Sequence, residues 1–228
     1  MEGKYSIAHL SALLADPARV AIMVTLLDGT SRRASELAAA AKVSLPGASM
    51  HLAKLTEGRL LKVARFGRHR YYRITGSEVA AAVEALGTLS NFVRPTQLPA
   101  DAPIPPMRIA RTCYDHLAGE IAVGVCEALQ SRRFLDRSSF GLTGAGELFL
   151  AKLGIDFDRL KANRKRSLVR RCLDWTERKF HLAGSLGAAM LVLFRQRSWL
   201  MRQPGSRVVS ITKEGRQAFR DIFEIQIN

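Results

Sequence analysis

Residues 34–75 read ASELAAAAKVSLPGASMHLAKLTEGRLLKVARFGRHRYYRIT, and the rest of the chain is organised around them. Ser35, with Glu36 in the first turn, starts a helix whose Leu37 and alanines at 38–41 allow close packing. After a turn at Lys42-Val43, Ser44 caps a second helix to about residue 57, with Pro46 tolerated in its first turn. Ala48, Leu52 and Leu55 share one face and belong to the core. The start of this helix, Ser44, Leu45, Pro46 and Gly47, together with Ser49, Met50 and Lys54, is left free to reach a groove. Residues 60–66 and 70–74 read as strands around Gly67-Arg68-His69. Arg65, Arg68, His69 and Arg70 at that tip are placed for phosphates or a minor groove. Helix, turn, helix and basic hairpin outline a winged helix-turn-helix. His51, by its helical position, is expected to face inward rather than toward DNA.

Upstream, residues 6–14 read as a short apolar helix. Asp16 caps the next one, Pro17 sits where its missing N–H costs nothing, and Val20, Ile22, Met23, Leu26 and Leu27 supply a buried side. Gly29 ends it.

Taken together, the segments Leu14-Ala15-Asp16-Pro17-Ala18-Arg19, Ser35-Glu36-Leu37-Ala38, His51-Leu52-Ala53-Lys54-Leu55 and Gly67-Arg68-His69-Arg70-Tyr71-Tyr72 resemble the ArsR-type family of bacterial winged-helix repressors. The resemblance covers residues 6–92. It implies a homodimer on a palindromic operator, with residues 77–93 as the dimerisation helix and Val79, Val83, Leu86 and Leu89 as its apolar stripe. Two departures count. Met50 stands where the family often carries arginine, and Pro46-Gly47 open an unusual recognition helix, so no operator sequence carries over. The family's familiar metal-binding positions are also missing: residues 32–36 hold no cysteine, and residues 77–93 hold neither histidine nor cysteine. A sensing function is therefore expected elsewhere in the chain.

Composition agrees with a polyanionic partner. The net charge is +15 and the pI near 10.6, which makes double-stranded DNA the first partner to consider, a solvated basic surface being the plain alternative. Three cysteines without a regular framework argue against a disulfide scaffold and for a reducing, cytoplasmic setting. No signal-peptide segment and no apolar run long enough for a membrane span are found, so no membrane partner is expected.

Five of the eight prolines fall within residues 95–106, which marks 95–107 as a connector between a DNA-binding and dimerisation domain at 1–94 and a second domain at 108–228. The second domain repeats itself. His116-Leu117-Ala118-Gly119 recurs as His181-Leu182-Ala183-Gly184, and the twenty residues from each histidine align without a gap. Both runs read as helices from the histidine onward. Each is followed by a hairpin and a Thr-x-x-Gly helix start, at residues 143–146 and 212–215. Upstream, Cys113-Tyr114-Asp115 is mirrored by Cys172-Leu173-Asp174, with six extra residues before the second histidine. The fold class is thus mainly α with small β-hairpins: a winged helix-turn-helix plus a C-terminal domain of two winged-helix-like repeats. Arg159, Lys161, Arg164, Lys165, Arg166, Arg170 and Arg171 crowd the junction between the repeats as a solvated or phosphate-facing run.

Cys113, Asp115, His116, Cys172, Asp174 and His181 form the candidate effector or metal set, since thiolate, imidazole and carboxylate are the ligands of zinc-like ions. The competing readings are aspartates that orient the histidines or cap helices beside buried cysteines, an organic effector near Tyr114, Trp175 and Phe180, and thiol oxidation. Cys126, on an apolar run, reads as structural. No cofactor is identified. The glycines of residues 141–146 lack the strand-turn-helix context of a nucleotide loop, and neither a serine elbow nor a metallohydrolase motif is present, so no enzyme is expected. The functional expectation is a homodimeric DNA-binding regulator, a repressor, whose second domain takes a small-molecule or metal effector. The alternatives are a protein-docking module built on winged helices and a metal-dependent second domain.

Overall fold

The computed structural model describes residues 2–93, 104–163 and 166–227, with side chains of 2–6 and 91–93 left aside. It divides into two compact units, Met1–Val83 and Glu84–Asn228.

In the first unit, α1 (Glu2–Leu14) and α2 (Pro17–Leu26) are joined by a capped corner. Asp16 accepts from the Ala18 and Arg19 amides at 2.9 and 3.1 Å. Arg19 turns back and donates to the Leu13 and Ala12 carbonyls at 2.5 and 2.8 Å, satisfying the open end of α1. β1 (Arg32–Arg33) precedes α3 (Ala34–Ala41). The cap lies two residues earlier than expected: Glu36 reaches back to the Arg33 amide at 2.8 Å, which makes Arg33 the cap instead of Ser35. α4 (Leu45–Glu57) follows with Ser44 accepting from the Gly47 amide at 3.2 Å. Ala48, Leu52 and Leu55 are fully buried with Ile22, Met23, Leu26 and Leu37. β2 (Leu61–Phe66) and β3 (His69–Ile74) pair antiparallel, and β1 adds on the other side of β3. The turn is the two residues Gly67-Arg68, because His69 already pairs with Phe66. Gly67, at φ +56°, supplies the left-handed conformation such a turn needs. The next helix, α5 (Ser77–Val93), belongs to this unit as far as Val83; its Ala80 and Val83 are buried, and Leu86 and Leu89 are about half exposed.

In the second unit the repeat is visible as two copies of hairpin and helix. α6 (Pro106–Ile109) leads into β4 (Arg111–Cys113), β5 (His116–Ala118) and α7 (Glu120–Ser131), then α8 (Gly144–Lys152) and α9 (Phe157–Ala162). The second copy gives β6 (Arg170–Leu173), β7 (Phe180–Ala183), α10 (Gly184–Gln196), the pair β8 (Leu200–Arg202) and β9 (Val209–Ile211), and α11 (Lys213–Phe223). The expected connector at 95–107 lies outside the described residues up to 103, and its end is already helical at Pro106.

Two expectations are corrected here. The His-Leu-Ala segments are strands, not helix starts: β5 pairs with β4 and β7 with β6. The chain passes from strand to helix at Gly119 and Gly184, with φ of +93° and +84°, a backbone that side chains rarely adopt. The hairpin expected after α7 reduces to one bridge, Leu135 to Leu142, around an Asp136 that accepts from Ser138 and Ser139. In the second copy the strand pair around Pro204-Gly205-Ser206 forms as expected.

α10 packs on β5 and α7 on β7, so each helix lies against the other copy's hairpin, over a shared core that includes Leu129, Leu186, Phe194, Trp199, Phe219 and Phe223. Thr143 and Thr212 cap α8 and α11 by accepting from Gly146 and Gly215 at 3.1 and 2.9 Å. At both glycines a Cβ would overlap a backbone carbonyl oxygen, Phe134 and Trp199 respectively. Gly215→Ala is expected to destabilise the second unit by about 1–3 kcal/mol, overriding alanine's better helix propensity. Urea unfolding followed by tryptophan fluorescence reads this unit alone, because both tryptophans, Trp175 and Trp199, lie in it. An unchanged midpoint would show that α11 can shift off the carbonyl. Among the described residues no single helix is long and apolar enough to cross a membrane.

Candidate functional site

The first site is the outer face of α4 beside the β2–β3 hairpin. Burial of Ala48, Leu52 and Leu55 turns Ser44, Leu45, Pro46, Ser49, Met50 and Lys54 outward, with Gly47 half-buried. Leu45 and Met50 are each 52% exposed. Arg65, Arg68, His69 and Arg70 are all exposed on the hairpin. A concavity of roughly 670 Å³ runs between the two elements, lined by Leu45, Ser49, Arg65, Arg68, His69 and Arg70 among others. Pro46, Gly47, Met50 and Lys54 stand outside that lining.

Arg33 and Ser35 also line the concavity. Sequence reasoning passed over Arg33, and the signal available was the basic pair Arg32-Arg33 just before α3. Arg32 is committed elsewhere: it pairs with the buried Asp28 at 2.6 Å. His51 faces inward as expected, yet its Nδ1 stands 3.8 Å from Asp16 Oδ1, beyond hydrogen-bond reach.

The second site lies within the second unit. In β4–β5, Cys113 and His116 are direct cross-strand partners; in β6–β7, Cys172 and His181 are. The six extra residues of the second copy form a longer hairpin loop. There Asp174 Oδ1 accepts from the Thr176 and Glu177 amides at 2.9 and 3.2 Å, so the register of the pair survives the insertion. Of the six candidate residues, four converge: donor atoms of Cys113, His116, Cys172 and His181 all lie within 4.8 Å of one another. The sulfurs are 3.8 Å apart and the imidazole centroids 5.2 Å apart. Their mutual hydrogen bond pulls the Cys172 thiol well below its ordinary value and pushes Cys113 up, burial adding to the rise at Cys113.

Asp115 and Asp174 do not join the cluster. Asp115 holds Arg166 at 2.6 and 3.0 Å and approaches His116 Nδ1 at 3.3 Å. Burial works against its charge, and the His116 and Arg166 contacts still bring its carboxyl down to about 2. Asp174 is fully buried, pairs with the equally buried Arg111 at 3.0 Å and accepts from the Gly119 amide at 2.7 Å. Burial again opposes the charge, and Arg111, Thr176 and Gly119 hold the group well below the usual carboxylate range. Trp175 lies under the Arg111 guanidinium at 4.8 Å, Phe180 meets Phe140 edge-on at 6.3 Å, and Tyr114 takes the left-handed turn position of β4–β5. Cys126 is buried in α7, and desolvation raises its thiol to about 12. Arg164 and Lys165 lie outside the described residues, while Arg166 is engaged by Asp115.

A capped helix-turn-helix with an exposed second helix beside a basic two-stranded wing defines a winged helix-turn-helix DNA-binding domain. The chain matches the family described as bacterial regulatory protein, arsR family, over residues 16–63. It is 39% identical over 224 residues to YdfF of Bacillus subtilis (strain 168), an uncharacterised HTH-type transcriptional regulator, and this covers 97% of the chain and 99% of that relative. The protein belongs to the ArsR family of transcriptional regulators. Among solved structures it is similar to the homodimeric winged helix-turn-helix DNA-binding domain of a Mycobacterium bovis protein, at 28% identity over 41% of this chain and 86% of that one, TM-score 0.37. It is also similar to reduced HlyU from Vibrio cholerae, at 26% identity over 39% of this chain and 92% of that one, TM-score 0.36.

Proposed function

We propose that the protein is a homodimeric repressor that reads a palindromic operator, with residues 1–94 binding DNA and pairing the subunits and residues 108–228 modulating that binding. The observation that carries this reading is the single concavity shared by the exposed start of α4 and the arginines of the wing. Leu45, Ser49, Met50 and Lys54 would meet base edges in the major groove. Arg65, Arg68 and Arg70 would hold phosphates or enter the minor groove. The half-exposed Leu86 and Leu89 on α5 support pairing of two copies through that helix. Occupying an operator that overlaps a promoter would exclude polymerase.

Selection from a random duplex library with the full chain tests the reading. The expected product is an inverted repeat whose half-site centres lie about one helical turn apart. Enrichment of a single asymmetric half-site, or of nothing, would overturn it.

A further inference from the structure

The two hairpins of the second unit meet so that each contributes one cysteine and one histidine to the same small volume. All four side chains are buried: Cys113 and His116 are each 2% exposed, Cys172 8% and His181 1%. Their spacing has a specific chemical meaning. A tetrahedral zinc ion with Zn–S bonds near 2.3 Å holds its two sulfurs about 3.8 Å apart. Cys113 Sγ and Cys172 Sγ are separated by 3.8 Å.

The nitrogens point the same way. His116 Nε2 and both ring nitrogens of His181 are buried without a hydrogen-bond partner. Such an atom ordinarily carries an uncompensated desolvation cost, which coordination removes. Each histidine also has a carboxylate behind it. Asp115 Oδ1 lies within hydrogen-bond reach of His116 Nδ1 at 3.3 Å, whereas Asp174 Oδ2, 3.6 Å from His181 Nδ1, stands just beyond it. A carboxylate behind a metal-bound imidazole fixes its tautomer and leaves the other nitrogen to the ion.

We propose that Cys113, His116, Cys172 and His181 form a tetrahedral site for one thiophilic divalent cation of the zinc class, clamping the two copies of the hairpin together. Two sulfurs and two imidazoles select such an ion over magnesium or calcium, which take oxygen ligands. Two thiolates around a divalent cation make a neutral centre, which suits a buried position, and each thiol gives up its proton on binding. Four protein ligands leave no open coordination position, so the site holds the fold instead of activating water. The same sulfurs could instead close into a disulfide, but that would leave His116 Nε2 and both His181 nitrogens without partners.

The test needs no DNA, so it stands or falls separately from the operator reading. Full-length protein purified without chelator is weighed by native mass spectrometry, then stripped and titrated with Co2+. The expected results are one ion per chain with loss of two protons, and saturation at one equivalent of Co2+. The Co2+ form should show the intense visible bands of a tetrahedral ion and a thiolate charge-transfer band. Cys113→Ser and Cys172→Ser should each halve the charge-transfer intensity, and Cys126→Ala should leave it unchanged. Should the serine variants fail to fold, the wild-type Co2+ spectrum alone decides. A weak octahedral spectrum, no saturation at one equivalent, or a mass lower by two hydrogens with Cys113 joined to Cys172 would each overturn the proposal.

Discussion

Asp174→Ala is expected to remove about 3–5 kcal/mol of stability from the second unit, the usual cost of stranding one member of a buried ion pair. Asp174 and Arg111 have no exposed side-chain surface and stand 3.0 Å apart. The carboxylate also takes the Gly119 amide at the start of α7 and the Thr176 amide and hydroxyl in its own loop. Alanine leaves the guanidinium charged against Trp175 with only the Met107 carbonyl and Thr176 hydroxyl at 3.3 and 3.2 Å. Urea unfolding read by tryptophan fluorescence gives the loss directly. Replacing both partners, as Arg111→Met with Asp174→Leu, should recover only part of it: no charge is stranded, but the Gly119, Thr176 and Glu177 amides still lose their acceptor. A loss under about 1 kcal/mol for the single variant would mean that the arginine reaches water, and the ion pair would then have little part in holding the copies.

Reversing the charge of the wing, as Arg68→Glu with Arg70→Glu, is expected to weaken binding to every DNA sequence alike. The slope of log affinity against log salt should become shallower by about 3.6 for a dimer on its operator, close to 0.9 for each of the four lost phosphate contacts. Gel retardation across a salt series measures both. A loss confined to one operator sequence would assign these arginines to base reading, and unchanged affinity would remove the wing from the interface altogether. Both residues are exposed, so the fold should tolerate the change.

The first unit was readable because its decisions are local. Asp16 and Ser44 are caps acting within three residues, and Ala48, Leu52 and Leu55 repeat at the helical period. What escaped was non-local: the two-residue β1 shows itself only through its pairing with β3, and Arg33 enters the concavity only once α3 and the wing are placed. In the second unit the repeat itself gave the correspondence of Cys113 with Cys172 and His116 with His181. The secondary structure around it was misread because Leu117-Ala118 and Leu182-Ala183 run apolar into α7 and α10 without a polar break. The glycines at 119 and 184 were the signal, since they mark the corner between strand and helix. The loop between β6 and β7, turned by Asp174, is what makes Cys and His, three apart in one copy and nine in the other, the same cross-strand pair.

Carrying both hairpins on one polypeptide has a further consequence. In a symmetric pair of identical chains every substitution would appear twice, and the two sides of the junction would have to change together. Here each side is free to diverge. Asp115 remains near solvent, tied to Arg166, while Asp174 has become a fully enclosed strut between Arg111 and the other copy's helix. One arm is therefore suited to loosen and the other to hold.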